Sequence, residues 1–306
     1  MAIIRINQRA EGLALHQSPA PVMPALRRIA RTGAVPVIVM VHGFQFRPED
    51  PRNCPHTHIF ADHDAACWKG LSWPRALGLS RDEPELGLAY GWDARGMIWK
   101  AYANAALAGA HLARALRLIR AAAPHRKIHA ITHSLGARVV FQALKHLNPG
   151  DLGRIIALNP AEFHGAARTA LRSPAGRTTE VIVVTGRENA GYNLMLEKLV
   201  SPRRDGDRAL GMAVPRGAGR MVLRLDRADV LRHLEGLGFP IAPQQRRVCH
   251  WSPYLRDGAL EFYGALMRQS GTLPLSALHP AAPSAQVQGG LLSRLGVGFW
   301  AKGEPI

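Results

Sequence analysis

The chain has 306 residues, of which 47% are hydrophobic and three are cysteines. This length and composition exclude a disordered protein and a small disulfide-stabilised scaffold, and so few cysteines fit a reducing compartment. The sequence also lacks an apolar run of the roughly 20 residues that a membrane-spanning helix needs, and arginines interrupt the N-terminal stretch where a secretion signal would be apolar. We therefore expect a cytoplasmic protein.

The formal net charge is +17. A surface of this charge attracts nucleic acid, anionic lipid or acidic substrates. The arginines are spread along the whole chain, and no recognition-helix, RNP-like or zinc-finger pattern accompanies them. We expect no nucleic-acid partner, and a weak association with anionic membranes stays open.

The first part of the chain predicts the beginning of a sheet. Residues 2–16 read as two short strands around a turn, and an amphipathic helix that ends at Gly33 follows. The stretch "VPVIVMVHG" is a nearly continuous run of β-branched and apolar residues. Such a run is typical of a strand that is buried on both faces of a parallel sheet.

Residues 45–86 are polar and rich in proline and histidine, with little periodicity. They are too many for a plain connection, so we predict a lid-like insertion. Cys54, Cys67 and the histidines between them are of the types that bind zinc, but their spacing does not match paired C-x-x-C motifs. We expect no metal site, and one of these histidines could instead contact a substrate.

The rest of the chain alternates between predicted strands and helices. The strands are expected in "LGLAYGWDARG", "KIHAIT", "GRIIALNP", "EVIVVTGREN" and "RMVLRLD", and a long Ala-rich helix follows the first of them and stops at Pro124. Alternation of this kind predicts the α/β class, with a mostly parallel central sheet flanked by helices. We assign residues 1–271 to one domain and residues 272–306 to a loosely attached tail rich in Pro, Ala and Gly.

The stretch "ITHSLGAR" at residues 131–138 sets a serine between a predicted strand and a predicted helix. A serine hydroxyl is a weak nucleophile unless a base takes its proton and donors stabilise the developing oxyanion. A sharp strand-to-helix turn with the pattern G-x-S-x-G provides such a setting. Gly136 fills the second glycine position, and Thr132 stands at the first. Because serine is also a favoured helix N-cap, this stretch alone leaves Ser134 either a nucleophile or a cap.

The order of elements around this serine resembles lipase- and esterase-like α/β-hydrolases. A buried strand ending in His42-Gly43 precedes Ser134, and "LGLAYGWDARG", the long helix and "LNPAEF" stand in the same arrangement, so that the resemblance covers about residues 34–270. It implies the α/β-hydrolase fold, a Ser-His-acid triad and an oxyanion hole of two backbone N–H groups. It puts these N–H groups at Phe44 and Leu135.

The same resemblance implies that the acid and the histidine follow the serine, each after a later strand. Glu188 comes after the predicted strand "EVIVVT", and we predict it as the acid, with Glu162 as the alternative and Asp226 third. His250 lies just before the last predicted helix and is the predicted base. His233 also lies late, but inside a helical pattern that suits a surface position.

These residues predict a serine hydrolase that needs no cofactor and cleaves carboxylic esters, acyl lipids or thioesters through an acyl-enzyme. Two alternative functions are compatible with the same sequence. An acyltransferase would employ the same triad with an alcohol or amine in place of water. A non-catalytic protein on this scaffold would bind anionic membranes through its basic surface.

Overall fold

The centre of the structure, a computed structural model, is a β-sheet. The structure describes residues 3–31, 35–79, 87–200, 206–212 and 214–280. Within these residues its eight strands are β1 (Ile3–Arg9), β2 (Gly12–Leu15), β3 (Val37–Val41), β4 (Gly87–Gly91), β5 (Ile128–His133), β6 (Arg154–Leu158), β7 (Glu180–Thr185) and β8 (Arg220–Arg224). Their order is β2-β1-β4-β3-β5-β6-β7-β8. The edge strand β2 is antiparallel to β1, and the other described pairs are parallel. The predicted mostly parallel sheet is confirmed.

The inner strands are buried on both faces, as their sequences predict. All five residues of β3 are buried. Side chains alternate between the two faces of a strand, so Val37, Val39 and Val41 join one hydrophobic core while Ile38 and Met40 join the other. The sheet therefore separates two layers of helices.

The helices cover both faces. They are α1 (Val22–Arg31), α2 (Trp73–Ala76), α3 (Ile98–Ala122), α4 (Gly136–Leu144), α5 (His164–Leu171), α6 (Pro174–Thr178), α7 (Ala190–Leu199), α8 (Ala228–Gly236), α9 (Ser252–Leu255) and α10 (Ala259–Arg268), with short 3₁₀ helices at Pro55–Thr57, Arg187–Asn189, Leu210–Met212 and Leu275–Leu278. Helices α1, α3, α4, α5 and α6 pack on one face, and α2, α8, α9 and α10 on the other. No helix in the described ranges is long and apolar enough to cross a membrane.

The structure differs from the sequence predictions at the connections. Helices α5, α6 and α7 occupy stretches for which we predicted no helix. The first residues of the predicted tail are packed rather than loose, since Leu275 and Leu278 are buried against the core that holds α10. The predicted helix end at Gly33, the end of the insertion at 80–86 and the tail at 281–306 lie outside the described residues.

Candidate active site

Ser134 occupies a strained turn between β5 and α4. Its φ angle is +54°, in the left-handed region that costs an L-residue roughly 1–2 kcal/mol. The turn is tied down on both sides, because the Ser134 N–H donates to the Leu158 carbonyl at 2.9 Å and its own carbonyl accepts from Ala161 at 2.9 Å. A strained conformation that its surroundings enforce is a mark of functional sites. The predicted strand–serine–helix turn is therefore present.

Close packing explains the residues that flank this turn. A side chain at Gly136 would put its Cβ 2.5 Å from the His42 carbonyl and 2.5 Å from the Thr132 hydroxyl, so only glycine fits there. Thr132 is itself buried and fills the space beside Gly136. A threonine at the first glycine position of the motif is thus compatible with the turn.

The predicted oxyanion loop lies against the serine. A Cβ at Gly43 would come within 2.8 Å of the Ser134 Cβ, so the backbone of Gly43 and Phe44 passes directly beside the nucleophile position. The Leu135 N–H lies at the N-terminus of α4, where the first amides of a helix have no intrahelical acceptor. The structure therefore brings the loop at Gly43 and Phe44, and the start of α4 at Leu135, beside Ser134.

His42 fixes the direction of this loop. Its Nε2 accepts from the Trp92 N–H at 3.0 Å, so its Nδ1–H donates to the Gly43 carbonyl at 2.9 Å. In a trans peptide the carbonyl and the next N–H point in opposite directions. The Gly43 oxygen turns toward His42, and the Phe44 N–H consequently turns away from it. Burial lowers the pKa of His42 to about 4, which keeps this ring neutral at physiological pH.

The predicted base His250 is oriented by an amide rather than a carboxylate. Its Nδ1 lies 2.7 Å from the Oδ1 of Asn189, the last residue of the 3₁₀ turn after β7. The Asn189 amide is itself held, because its Nδ2 donates to the Oδ1 of Asn193 at 3.0 Å. An amide oxygen only accepts, so the hydrogen of the neutral His250 ring is on Nδ1 and Nε2 has the free lone pair. This is the tautomer that a general base needs.

Other contacts hold the His250 backbone and ring. Its carbonyl accepts from His133 Nε2 at 3.0 Å and from Asn159 Nδ2 at 2.8 Å. Its ring stacks on Tyr192, with centroids 4.6 Å apart. Burial lowers the pKa of His250 well below its usual value, and the neighbouring His133 adds to the shift. The described surroundings therefore favour a neutral imidazole.

The two carboxylates predicted as the acid lie elsewhere. Glu188 is buried and accepts from Arg256 and from the Ser252 hydroxyl, the latter at 2.6 Å. In the alternative, Glu162, both carboxylate oxygens accept from Arg138 Nη1, Oε2 at 2.9 Å and Oε1 at 3.1 Å. Each acid is committed to a buried ion pair because an unpaired buried charge would be costly. The predicted contact between Glu188 and His250 is corrected to one between Asn189 and His250.

The third candidate acid, Asp226, pairs with Arg224 at 2.7 Å and with Arg187 at 3.4 Å. His233, on helix α8, donates from Nε2–H to the Ala277 carbonyl at 2.8 Å. Among the described residues, neither contacts His250. These two therefore have local structural roles.

A cavity of about 430 Å³ contains both Ser134 and His250. Its walls come from the loop after β3, from residues 45–79, from the start of α3 and from α7. The lining residues are Phe44, Gln45, Phe46, Arg52, Asn53, His58, Ile59, Cys67, Lys69, Ile98, His133, Ser134, Ala161, Tyr192, Met195, Leu196, Leu199, His250, Trp251 and Tyr254. Most of this surface is apolar, as in sites for small organic ligands.

The segment predicted as a lid-like insertion contributes to this wall through its described part. His58 lines the cavity, whereas His56 is buried beside Asn7, 2.7 Å from its side-chain oxygen. All three cysteines are free thiols. In the described ranges, no group of His, Cys, Asp or Glu side chains is arranged to hold a metal ion.

Sequence reasoning missed helix α7 and the amide at position 189. Four side chains of α7 line the cavity: Tyr192, Met195, Leu196 and Leu199. Their spacing of i, i+3, i+4 and i+7 places them on one face of the helix. That spacing is visible in "NAGYNLMLEKLV" and could have predicted a helix over the site. Asn189 directly follows Glu188, the carboxylate that the sequence analysis predicts as the acid.

A comparison with known protein families agrees with this fold. A family model described as "Alpha/beta hydrolase of unknown function (DUF900)" matches residues 25–158, a stretch that includes β3, the oxyanion loop and the turn at Ser134. The resemblance to α/β-hydrolases is confirmed, and the chain has the α/β-hydrolase fold.

A solved structure with detectable similarity is "Trichoderma reesei cutinase in complex with a C11Y4 phosphonate inhibitor". The identity is 13% and the TM-score 0.24, over 45% of this chain and 65% of the cutinase chain, just under two thirds of that protein's length. No curated protein matches the chain.

Proposed function

We propose that the protein is a serine hydrolase that cleaves carboxylic esters. The observation that carries this proposal is the strained Ser134, with φ of +54°, in the same cavity as a histidine whose Nδ1–H is engaged by Asn189. An ordinary N-cap serine has β-region dihedrals and needs no such strain. The proposed set is Ser134, His250 and Asn189, with the Phe44 and Leu135 N–H groups as oxyanion donors.

The mechanism follows from these positions. His250 Nε2 takes the hydroxyl proton as the Ser134 oxygen forms a bond to the acyl carbon, and the carbonyl oxygen becomes an oxyanion facing Phe44 and Leu135. The ester C–O bond then breaks, and the imidazolium gives its proton to the departing alcohol. Water, deprotonated by His250, attacks the acyl-enzyme in the same manner and releases the acid. Asn189 holds the ring in one tautomer throughout.

The test is labelling by a fluorophosphonate probe, followed by peptide mass mapping, in parallel with turnover of 4-nitrophenyl butyrate. We expect label on Ser134, and loss of both label and turnover in Ser134→Ala. Ser173→Ala is the matched control. The Ser173 hydroxyl oxygen caps α6 by accepting from the Gly176 N–H at 3.1 Å, so this variant should leave both signals unchanged. A folded protein without label or turnover would reject the proposal.

A non-catalytic scaffold is the second candidate, and the neutral Asn189 favours it. An amide does not stabilise an imidazolium as a carboxylate does, so the transition state gains less from this partner. A non-catalytic scaffold would give no label on Ser134 and salt-dependent sedimentation with anionic liposomes.

An acyltransferase would give the label on Ser134, and product analysis with added alcohols would distinguish it from a hydrolase.

A further inference from the structure

The part of the cavity wall that comes from residues 45–79 is cationic. Arg52 and Lys69 both line the cavity, and no Asp or Glu is among the described lining residues. Low-dielectric walls of one charge sign focus the potential within a cleft. The cavity is therefore electropositive on this side.

The cationic side chains of this segment form two groups, those in ion pairs and those that face the cavity. Residues 45–79 contain four Lys or Arg residues. Arg47 pairs with Asp93 at 3.0 Å, and Arg75 pairs with Asp64. Arg52 and Lys69 have no ion pair within the described part of the chain, and these are the two that face the cavity.

The acids of the same segment are committed to other partners. Glu49 pairs with Arg9, and Asp50 pairs with Arg95 at 2.9 Å. Asp62 contacts His63 at 2.9 Å. None of these acids lines the cavity, so none neutralises its two cations. The local arrangement leaves positive charge where a ligand would sit.

Lys69 interacts with other residues of the cavity wall. Its ammonium is 4.2 Å from the ring centroid of Trp251, the neighbour of His250 in the chain. Burial lowers the pKa of His58, and the charge of Lys69 lowers it further, so the charge of Lys69 reaches another residue of the cavity wall. A ligand in this part of the cavity would meet the same charge.

The side of the cavity formed by α3 and α7 has the opposite character. Ile98, Met195, Leu196 and Leu199 line it, and Ile98 also packs on the small hydrophobic cluster that contains Leu196. An apolar chain would bury its surface there at a gain of roughly 25 cal/mol per Å². The cavity as a whole is amphipathic.

We propose that the ligand of this cavity is an acyl ester with an apolar chain and an anionic group, a phosphate or a carboxylate, which Arg52 and Lys69 bind. An arginine binds either anion through paired hydrogen bonds, and a lysine binds either as a point charge. The statement about the ester rests on the proposed function, whereas the statement about the anion rests on the cavity alone. The two are therefore tested separately.

The first experiment measures binding without turnover. Hexyl phosphate and hexanol are titrated calorimetrically into Ser134→Ala protein. We expect hexyl phosphate to bind at least about tenfold more tightly, and Arg52→Gln/Lys69→Gln to remove that preference. Arg47→Gln/Arg75→Gln loses the same charge from the same segment and should keep the preference. Equal binding of the two ligands, or equal effects of the two double variants, would overturn the proposal.

The second experiment measures turnover of 4-nitrophenyl hexanoate and of its 3-carboxy derivative. The ratio of kcat/KM for the anionic over the neutral ester should fall about tenfold in Arg52→Gln/Lys69→Gln and stay at its wild-type value in Arg47→Gln/Arg75→Gln. Turnover without this charge preference contradicts the anion site but leaves the esterase intact. Binding of hexyl phosphate without any turnover contradicts the esterase but leaves the anion site intact.

The source of the anion is resolved with phosphatidylglycerol in two forms. Monomeric dihexanoyl phosphatidylglycerol presents a soluble phosphodiester, and dioleoyl vesicles present the same headgroup at a surface. Cleavage of the monomer that is lowered in Arg52→Gln/Lys69→Gln indicates a soluble ester. Cleavage confined to vesicles, with the same sensitivity, indicates a lipid headgroup. Cleavage of either form that is insensitive to both cations contradicts the proposal.

Discussion

The Nδ1 of His250 and the Oδ1 of Asn189 are joined by a hydrogen bond of 2.7 Å, in the place where the resemblance to α/β-hydrolases implies a carboxylate. The bond fixes the ring tautomer but contributes no negative charge. Two effects that are normally combined in one acid, orientation and charge stabilisation, are therefore separated at this site. The chain offers a direct way to restore the second effect.

Asn189→Asp adds that charge at the same position. A carboxylate beside Nδ1 favours the imidazolium and raises the pKa of His250. Because the base must be neutral to act, the acidic limb of the pH profile of kcat/KM should move to higher pH. Above this limb kcat should rise, since the imidazolium in the transition state is now stabilised. The measurement is a pH–rate profile on a neutral ester.

Asn189→Ala is the control for this prediction. It removes the orienting bond and should lower kcat by roughly 10²-fold or more, as expected when a general base loses its position. A purely structural role of Asn189 would leave the pH limb of Asn189→Asp where it is in the wild type. That result would contradict the assignment.

Glu188→Gln tests the corrected role of the predicted acid. Arg256 is buried and donates to Glu188, to Ser252 Oγ at 3.0 Å and to the Leu225 carbonyl at 2.7 Å. Loss of the carboxylate leaves an uncompensated buried charge, which costs about 3–5 kcal/mol. We expect a lower free energy of unfolding in urea, together with an unchanged pH limb of kcat/KM for the folded protein.

The opposite pattern would restore Glu188 as the acid of the triad. A shifted pH limb and a large loss of kcat at unchanged stability would show that its charge acts on His250. Glu162→Gln provides the matched comparison, because Glu162 forms a similar buried pair with Arg138. Both variants should be destabilised, and neither should change the pH limb.

Gly43→Ala tests the oxyanion loop. The new Cβ would lie 2.8 Å from the His133 carbonyl and from the Ser134 Cβ, so the loop must move away from the nucleophile. Displacing the Phe44 N–H removes one oxyanion donor, which costs about 10²–10³-fold in kcat. Gly191→Ala is the control, since a Cβ there meets no atom within 4 Å. Equal activity of the two variants would place the oxyanion site elsewhere.

The sheet and the turn that holds Ser134 could be predicted because their signals are local. The run of apolar residues in β3 and the small residue at Gly136 reflect burial and close packing at those positions. Ser134, the His250 loop and the loop at Phe44 are predicted as parts of the candidate site from chain order once the fold is recognised. These parts of the site needed no knowledge of side-chain contacts.

The partner of His250 could not be predicted in the same way. Glu188 and Asn189 are neighbours in one 3₁₀ turn, and which side chain faces His250 depends on where Arg256 lies in the folded chain. A buried arginine about seventy residues away draws the carboxylate to itself. Charge pairing over such a distance leaves no pattern in a single sequence.

His129 of β5 makes the stability of the fold dependent on pH. The ring is buried, and neither nitrogen has a hydrogen-bond partner within the described residues. Burial, with the charges of Arg154 and Lys127, lowers its pKa to about 3 from 6.5. Between these values the unfolded chain binds a proton that the folded chain does not, so stability is full above pH 6.5 and falls as the pH drops toward 3.

His129→Leu should remove this contribution. The wild type is expected to lose about 2 kcal/mol between pH 7 and pH 5 from this one group, and the variant should not. At pH 7 the variant should be at least as stable, because a buried polar ring without partners is replaced by an apolar side chain. Urea unfolding at both pH values measures the difference. His125→Gln, at an exposed position, is the control and should keep the wild-type pH dependence. If His129→Leu also kept it, the His129 ring would be hydrated in the native protein and the prediction would be wrong.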